Sequence, residues 1–479
     1  MKFLLLRPGA QIKNTKYLIL DPSNMPPLGL LYLGAVLEQD GHNVEILDYY
    51  KENVSREKLE NALMSSDAVG ITICTDIDFK SYIDISKMIK NIDPDIPLII
   101  GGPHCSFVQE RSLLDIPSAD ISVIGEGEHT ILDLVRFLQG TKNLADIRGI
   151  YYRNNGSIVS GKPLQIINNL DVLPFPARYL VEKYDYGDFP LVFQQKKKVT
   201  STITSRGCPF HCRFCVRYSN VIGGWGFRQR SVQNILQEFS EIDERYGSIN
   251  IVDDSFLADK KRARKIFDGI IEMGKDIELI IHGARVDSAD KELYKKMKKA
   301  GTKYIYFGLE SGNQDVLDFY NKKITLSQIR KAVKLSRKMN FITMGSFILG
   351  APIETKDHIE RTIKFAYSLP LDFAAFGPLR YIRGSQLWNE AVENNKISKD
   401  TDIVFADSEN ELGNLTKKEI LDYTIIAFKR FYNRPTYLVS QIYRNMLRKN
   451  YSLLLYGMRF LFSLKKEIRI FKKSNPSEK

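Results

Sequence analysis

Two successive series of strand-length apolar runs, each separated from the next by a helix-length segment, constrain this chain more than any other feature. The first series is 2–8, 43–48, 68–73, 97–102 and 121–128. Helices are read at 26–41, with Pro at its start and Gly at its end, and at 55–65, 78–92 and 128–139. Runs that are apolar nearly throughout predict strands covered on both faces, and their alternation with helices predicts a parallel sheet. The second series is 199–205, 249–254, 277–287, 303–311, 342–350 and 372–379. Helices fall between these at 231–245, 259–274, 289–300, 313–320, 325–339 and 355–368. Six strand–helix repeats predict a barrel-like or open parallel sheet, with chemistry at the carboxyl ends of the strands.

These patterns divide the chain into a first α/β domain at 1–140, a connector at 141–198, a second α/β domain at 199–384 and a helical region at 385–479. An NNG turn at 154–156 predicts a hairpin in the connector, and the Pro-rich 172–178 predicts extended chain. Hydrophobic residues make up 43% of the sequence, which excludes a disordered or collagen-like chain. The apolar run at the N-terminus is too short for a secretory signal and no cleavage site follows. No uncharged apolar stretch reaches the roughly 18–20 residues that cross a bilayer. The expectation is a cytoplasmic protein.

There are five cysteines, and Cys208, Cys212 and Cys215 crowd into one segment directly after an apolar strand. An odd, clustered count without an export signal points to a reducing compartment and a metal centre. Three thiolates spaced C-x3-C-x2-C can each bind one iron of a four-iron cluster and leave the fourth iron open. A structural zinc knuckle is the other reading, but zinc usually takes four protein ligands in paired spacings, and only His211 is a spare nearby. His211 is read as a loop residue. Cys74 and Cys105 fall in the first domain and are read as small buried residues.

This loop resembles that of the radical S-adenosylmethionine (SAM) superfamily, C-x3-C-x-aromatic-C, with Phe214 at the aromatic position. The resemblance covers about 170–385. It implies a [4Fe-4S] cluster held by Cys208, Cys212 and Cys215, SAM as cofactor, and an external one-electron reductant such as flavodoxin or ferredoxin. It also places SAM contacts at successive strand ends. Asp253 and Asp254 would face the methionine ammonium, unless one of them caps a helix. Arg285 lies at the next strand end. Glu310 would touch ribose or ammonium, or form a salt bridge, for instance to Arg285. Gly350 opens G-A-P-I-E-T, where the usual run is G-x-P-G-E-T, so Ile353 replaces the second glycine. Arg206 and Arg213 either screen cluster charge or lie on the surface.

The first domain is similar to the cobalamin-binding domain that precedes this barrel in one large subfamily. The turns with Gly101 and Gly102, and with Gly125 and Gly127, carry that similarity, as does the linker at 170–178. The chain lacks the D-x-H-x-x-G cobalt-ligating histidine, so the resemblance implies cobalamin bound without a lower histidine. The implied fold is a flavodoxin-like (Rossmann-type) domain, a partial (β/α)6 TIM-like barrel and a helical C-terminal region. The implied activity is methylation of an unactivated carbon in a small-molecule or lipid-like substrate. A radical oxidoreductase or cyclase without methyl transfer is the alternative. An iron–sulfur electron carrier or nucleic-acid-binding protein is the reading from another class.

The chain's formal net charge is +12, and residues 415–479 hold 15 basic and 4 acidic residues. On a helical wheel for 451–473, Leu453, Tyr456, Phe460, Leu464, Ile468 and Phe471 share one face, while Arg459, Lys466, Arg469 and Lys473 share the other. Three readings stay open for this basic amphipathic segment. It caps the barrel, binds an anionic membrane surface, or contacts nucleic acid, the last being the least favoured.

Overall fold

The computed structural model describes residues 1–9, 25–74, 79–187, 198–217 and 226–448. The chain divides into two compact units. Of the described residues, the first holds 1–9, 25–186 and 226–230, and the second 187, 198–217 and 231–448.

The first unit is a sheet of β1 (Lys2–Arg7), β2 (Asn43–Asp48), β3 (Ala68–Thr72), β4 (Leu98–Gly101), β5 (Ile121–Val123), β6 (Ile150–Asn154) and β7 (Ser157–Ser160). The strand order is β2-β1-β3-β4-β5-β6-β7. Strands β1 to β5 are parallel, and their 2-1-3-4-5 order is that of flavodoxin-like folds. The helices α1 (Leu28–Gln39), α2 (Arg56–Met64), α3 (Phe79–Ile92), α4 (Pro103–Val108), α5 (Arg111–Asp115) and α6 (Gly127–Leu138) connect them. Strand β1 shows why its run has no polar alternation. Leu4 and Leu6 join one core with α2 and α3, whereas Phe3 joins another with α1 and α6. Because both faces are buried, the four residues between Lys2 and Arg7 are all apolar.

The hairpin predicted at 154–156 forms, with positive φ at Asn155 and Gly156, the requirement of a tight two-residue turn. It extends the first sheet antiparallel to β5. The chain then returns to pack Val181, Tyr184 and Tyr186 beside Leu5 and Leu30. Strand β5 ends at Val123, so the expected strand at 121–128 is shorter and Gly127 opens α6 instead.

The second unit is an open six-stranded parallel sheet. Its strands are β8 (Lys198–Thr202), β11 (Tyr246–Ile251), β12 (Glu278–Ala284), β13 (Thr302–Glu310), β14 (Ile342–Leu349) and β15 (Phe373–Pro378), each beside its predecessor. Short strand β9 (Ser205–Arg206) follows β8, and β10 (Arg228–Gln229), which belongs to the first unit, comes before α7 (Val232–Glu241) in the chain. The other crossover helices are α8 (Lys260–Met273), α9 (Lys291–Lys299), α10 (Gln314–Phe319), α11 (Leu326–Lys338) and α12 (Lys356–Ser368). Ser231, Asp259, Asp290 and Thr325 cap their helices by accepting an N–H from the first turn. Sequential strand order with a helix in each crossover makes this a partial (β/α)6 barrel.

After the barrel come the pair β16 (Arg380–Ile382) and β17 (Ile403–Phe405), with α13 (Gln386–Glu393), α14 (Lys417–Tyr432) and α15 (Pro435–Leu447). Helix α14 covers the edge strand β15. The Tyr432 hydroxyl accepts from the Ala374 N–H at 3.1 Å and donates to its carbonyl at 2.8 Å, satisfying a backbone edge that would otherwise seek a partner. Helix α15 is held by Asp372, a fully buried carboxylate that accepts from the Thr343 N–H at 2.8 Å and pairs with Arg444 and Arg448. The amphipathic segment at 451–473 lies outside the described residues. Replacing Asp372 leaves two guanidinium groups without their shared counter-charge. Asp372→Ala is therefore expected to lower stability by about 3–5 kcal/mol, with faster amide exchange in α15 than in β14 as the specific signature.

Candidate active site

The cysteine loop is fixed from its entry. Strand β8 delivers Thr204 and Ser205, both buried, to the end of β11. There the Asp253 carboxylate accepts from the Thr204 N–H (2.6 Å), the Thr204 hydroxyl (2.6 Å) and the Ser205 hydroxyl (2.5 Å). Arg262 donates to the Thr204 carbonyl at 2.6 Å. Gly207 then turns the chain at φ 80°, a conformation that a side chain would strain, and its N–H is accepted by Asp254. Asp253 thus spends its oxygens on the loop. The helix cap that the sequence offered to Asp253 or Asp254 belongs to Asp259.

Within the loop, the Arg213 N–H donates to the Tyr320 carbonyl and the Cys215 N–H to that of Cys212. Arg213 is neither screening the thiols nor loose on the surface. Its guanidinium lies over Phe319, donates to the Phe319 carbonyl at 3.1 Å and pairs with Glu390 at 2.5 Å. Phe214 packs edge-on against Tyr320, 5.0 Å between centroids, and so seats the loop in an apolar cluster with Leu387 and Trp388. His211 contacts Arg217 and its carbonyl accepts from Asn321.

The thiols sit in a costly place for charge. Cys212 is buried. Burial pushes the Cys208 thiol up, and Asp254 and Cys212 push it further, against the Phe210 N–H and Arg285. Cys215 keeps accessible surface, but protein atoms crowd its sulfur, and with Cys212 and Cys208 they push its thiol up to about 12. Two cations stand against this. Arg285 lies 3.7 Å over the Phe210 ring, with its guanidinium 4.0 Å from the Cys212 sulfur, held by Asp287 and the Lys322 carbonyl. Burial opposes the charge of Lys322, yet Glu310 and Cys212 hold its ammonium above the usual range.

Among the described residues no group of three or more His, Cys, Asp or Glu side chains converges on one metal ion. Three neighbouring thiols with adjacent cations fit a cluster that gives each cysteine a different iron and stabilises its thiolate form.

The remaining strand ends surround the loop. Glu310 ends β13 at φ 62°, where the register shifts, and pairs with Lys322 at 2.6 Å rather than with Arg285. Gly308 makes this possible, since a Cβ there would meet a Glu310 carboxyl oxygen at 2.4 Å. Lys322 was not read from the sequence. It follows α10 in a loop, and only the fold returns it to the thiols. Gly350 ends β14 at φ 92°, and its N–H and that of Ala351 donate to one Glu354 oxygen at 2.7 and 2.8 Å. Ile353 is not among the residues with positive φ, so this turn does not need glycine there.

At the carboxyl edge of the first sheet, Gly102 takes φ 105° and a Cβ would press on the Ile73 carbonyl at 2.8 Å. Gly125 also has positive φ and donates its N–H to the Ser106 hydroxyl at 2.9 Å. Gly101 adjoins Gly102, and Gly127 packs against Leu33 of α1. His104 is tied to Asp115 at 3.0 Å and lies tilted against Phe79. The edge thus offers glycine and backbone and holds His104 in an internal pair, which fits cobalamin bound without His104 as a lower ligand; His129, in the first turn of α6, is exposed. Cys105 is buried as expected, but Cys74 is exposed.

Residues 202–366 match the Radical SAM superfamily and residues 17–135 the B12 binding domain. An "Uncharacterized methyltransferase PH0819" of Pyrococcus horikoshii is 34% identical across 88% of this chain and 90% of its own length. The chain belongs to the cobalamin-binding radical SAM enzymes. This radical SAM enzyme is also 27% identical to the cytidylyl-2-hydroxyethylphosphonate methyltransferase of Streptomyces wedmorensis, over 87% of this chain and 85% of that one. Its fold matches that of the cobalamin-dependent SAM radical enzyme OxsB with aqua-cobalamin bound. The TM-score is 0.70 at 17% identity, over 99% of this chain and 79% of that one.

Two substitutions test the geometry of the radical SAM site. Asp253→Ala removes three accepted hydrogen bonds at one buried point, worth about 1 kcal/mol each. Iron and sulfide retained after anaerobic reconstitution are expected to fall well below wild type while circular dichroism is unchanged. Burial pushes the Glu354 carboxyl from 4.5 up to about 7, against the Ala351 and Gly350 N–H groups. Between those values the folded chain keeps a proton that the unfolded chain has lost, so stability falls as pH rises through the window. Glu354→Gln is neutral throughout. Its unfolding free energy relative to wild type, measured by denaturant titration, is expected to rise from about pH 5 to about pH 8 by an amount of order 1–3 kcal/mol.

Proposed function

We propose that this chain methylates an unactivated carbon of an organic small molecule. The observation that carries the reading is one cysteine loop with three thiols and two flanking cations, Arg285 and Lys322, in a chain that also carries a B12 binding domain. When bound, the cluster delivers the electron that cleaves SAM, and cobalamin carries the methyl group to be transferred.

Cys208, Cys212 and Cys215 hold the cluster in this reading. Arg285 and Lys322 offset its negative charge and thereby influence its potential. Phe210, Phe214 and Tyr320 keep water from the loop, which a carbon radical requires. Asp254, Glu310 and Gly350, at successive strand ends, receive the amino-acid and nucleoside parts of SAM. Asp253 acts one step back, by positioning the loop. Gly101, Gly102, Gly125 and Gly127 let cobalamin approach the backbone of the first unit. No side chain need act as nucleophile, so positioning is the protein's main contribution. The electron comes from a small carrier of the flavodoxin or ferredoxin kind.

The test is anaerobic incubation of reconstituted protein with SAM, a reductant and cell extracts offered as substrate. 5′-Deoxyadenosine and S-adenosylhomocysteine are expected to accumulate together, and Cys212→Ala is expected to reduce both at least 100-fold. 5′-Deoxyadenosine without S-adenosylhomocysteine across all extracts points instead to an oxidoreductase or cyclase. A four-iron protein that forms neither product is an electron carrier, and the proposal fails.

A further inference from the structure

We propose that the amino-terminal end of the barrel is a docking surface for an anionic lipid bilayer, with α15 as the inserted element. Among the described residues, helix α15 is anchored by one face. Tyr437 donates to the Asp372 carbonyl at 2.7 Å, and Arg444 and Arg448 donate to the Phe341 carbonyl and pair with Asp372. The opposite face carries Val439, Ile442, Tyr443, Met446 and Leu447, each 46–67% exposed. Spacings of three and four residues gather them on one side of the helix. Elsewhere among the described residues of the second unit, only Ile353 and Ile403 are comparably exposed large hydrophobic residues.

The position of this stripe gives it meaning. Phe341 and Asp372 immediately precede β14 and β15, so α15 lies at the amino ends of the strands, away from the cysteine loop. Crossover helices of a parallel barrel end on that side too. Around α15 that end is basic: Lys298 and Lys299 finish α9, Lys303 is the second residue of β13, and Lys338 closes α11, all four exposed, whereas the exposed acids Glu241, Asp243, Glu244 and Glu272 lie at the ends of α7 and α8, beside β11 and β12. Burial, and next to it repulsion from Lys303 and Arg448, hold the Lys298 ammonium below its usual range. Helix dipoles favour cations in the last turns of α9 and α11. They do not account for the aliphatic side chains on the same end.

Cations beside exposed aliphatic residues match a bilayer interface, where headgroups take the charge and the acyl boundary takes the side chains. Nucleic acid would draw on the same cations but is held by stacking on aromatic rings. Here Tyr443 is the one aromatic residue in the stripe. The strand ends that bear the cysteine loop are left free, so docking and SAM cleavage are separable.

The full-length protein would be sedimented with vesicles of phosphatidylcholine alone and with 30% phosphatidylglycerol. It is expected to pellet with the second and not the first. Two variants, Val439→Ser/Ile442→Ser/Met446→Ser and Lys298→Glu/Lys299→Glu/Lys338→Glu, are each expected to weaken that binding by at least about tenfold. Both should keep the wild-type unfolding midpoint and the wild-type rate of SAM cleavage. The proposal is overturned if the wild type ignores both vesicles, or if the serine variant pellets like wild type. It is equally overturned if the wild type is a dimer that the serine variant dissociates without any vesicle binding, or if it binds single-stranded nucleic acid and not vesicles.

Discussion

Negative charge held away from water must be matched, and the cysteine loop is arranged around that requirement. Three thiols lie within reach of one another, and each raises the cost of ionising the next. Arg285 and Lys322 reach them from different loops of the second unit, and both are themselves buried. Each cation needs its own partner, so Asp287 holds Arg285 and Glu310 holds Lys322. The arrangement is therefore a charge network rather than three ligands on a loop. Its cations would remain costly if the thiolates they face were removed.

That network stands on backbone conformations available only at particular positions. Gly207 and Gly350 adopt positive φ, and Gly283 does so beneath the carbonyls of Asp253 and Asp254. A side chain at Gly283 would press on those carbonyls at 2.7–2.9 Å, displacing the strand end that holds the loop. The same parallel sheet that brings strand ends together at one side collects helix ends at the other. One topology thus yields a mouth of acids and thiols and, at the opposite end around α15, a group of lysines beside exposed aliphatic residues.

Much of this was legible in the sequence, for physical reasons that can be named. Strands buried on both faces leave apolar runs, so β1, β3, β4 and β15 announce themselves. Three cysteines within eight residues make a poor core motif and a good set of metal ligands. The partners of the polar residues were less legible. Asp253 and Asp254 are adjacent and chemically alike, yet the first ties down Thr204 and Ser205 while the second takes the Gly207 N–H. Glu310 pairs with Lys322, twelve residues on, because β13 bends where its register shifts. Arg213 stacks on Phe319, a contact that no local pattern encodes. The hairpin at β6 and β7 was readable from its turn, but its attachment to the first sheet depends on the unpaired edge of β5, which only the fold reveals.

The central claim is that Cys208, Cys212 and Cys215 hold a four-iron cluster with one iron left for SAM. Mössbauer spectroscopy of protein reconstituted with iron-57 tests it most directly. One iron is expected to be distinguishable from the other three, and its parameters alone to change when SAM is added. A two-iron spectrum, or four equivalent irons indifferent to SAM, would contradict it.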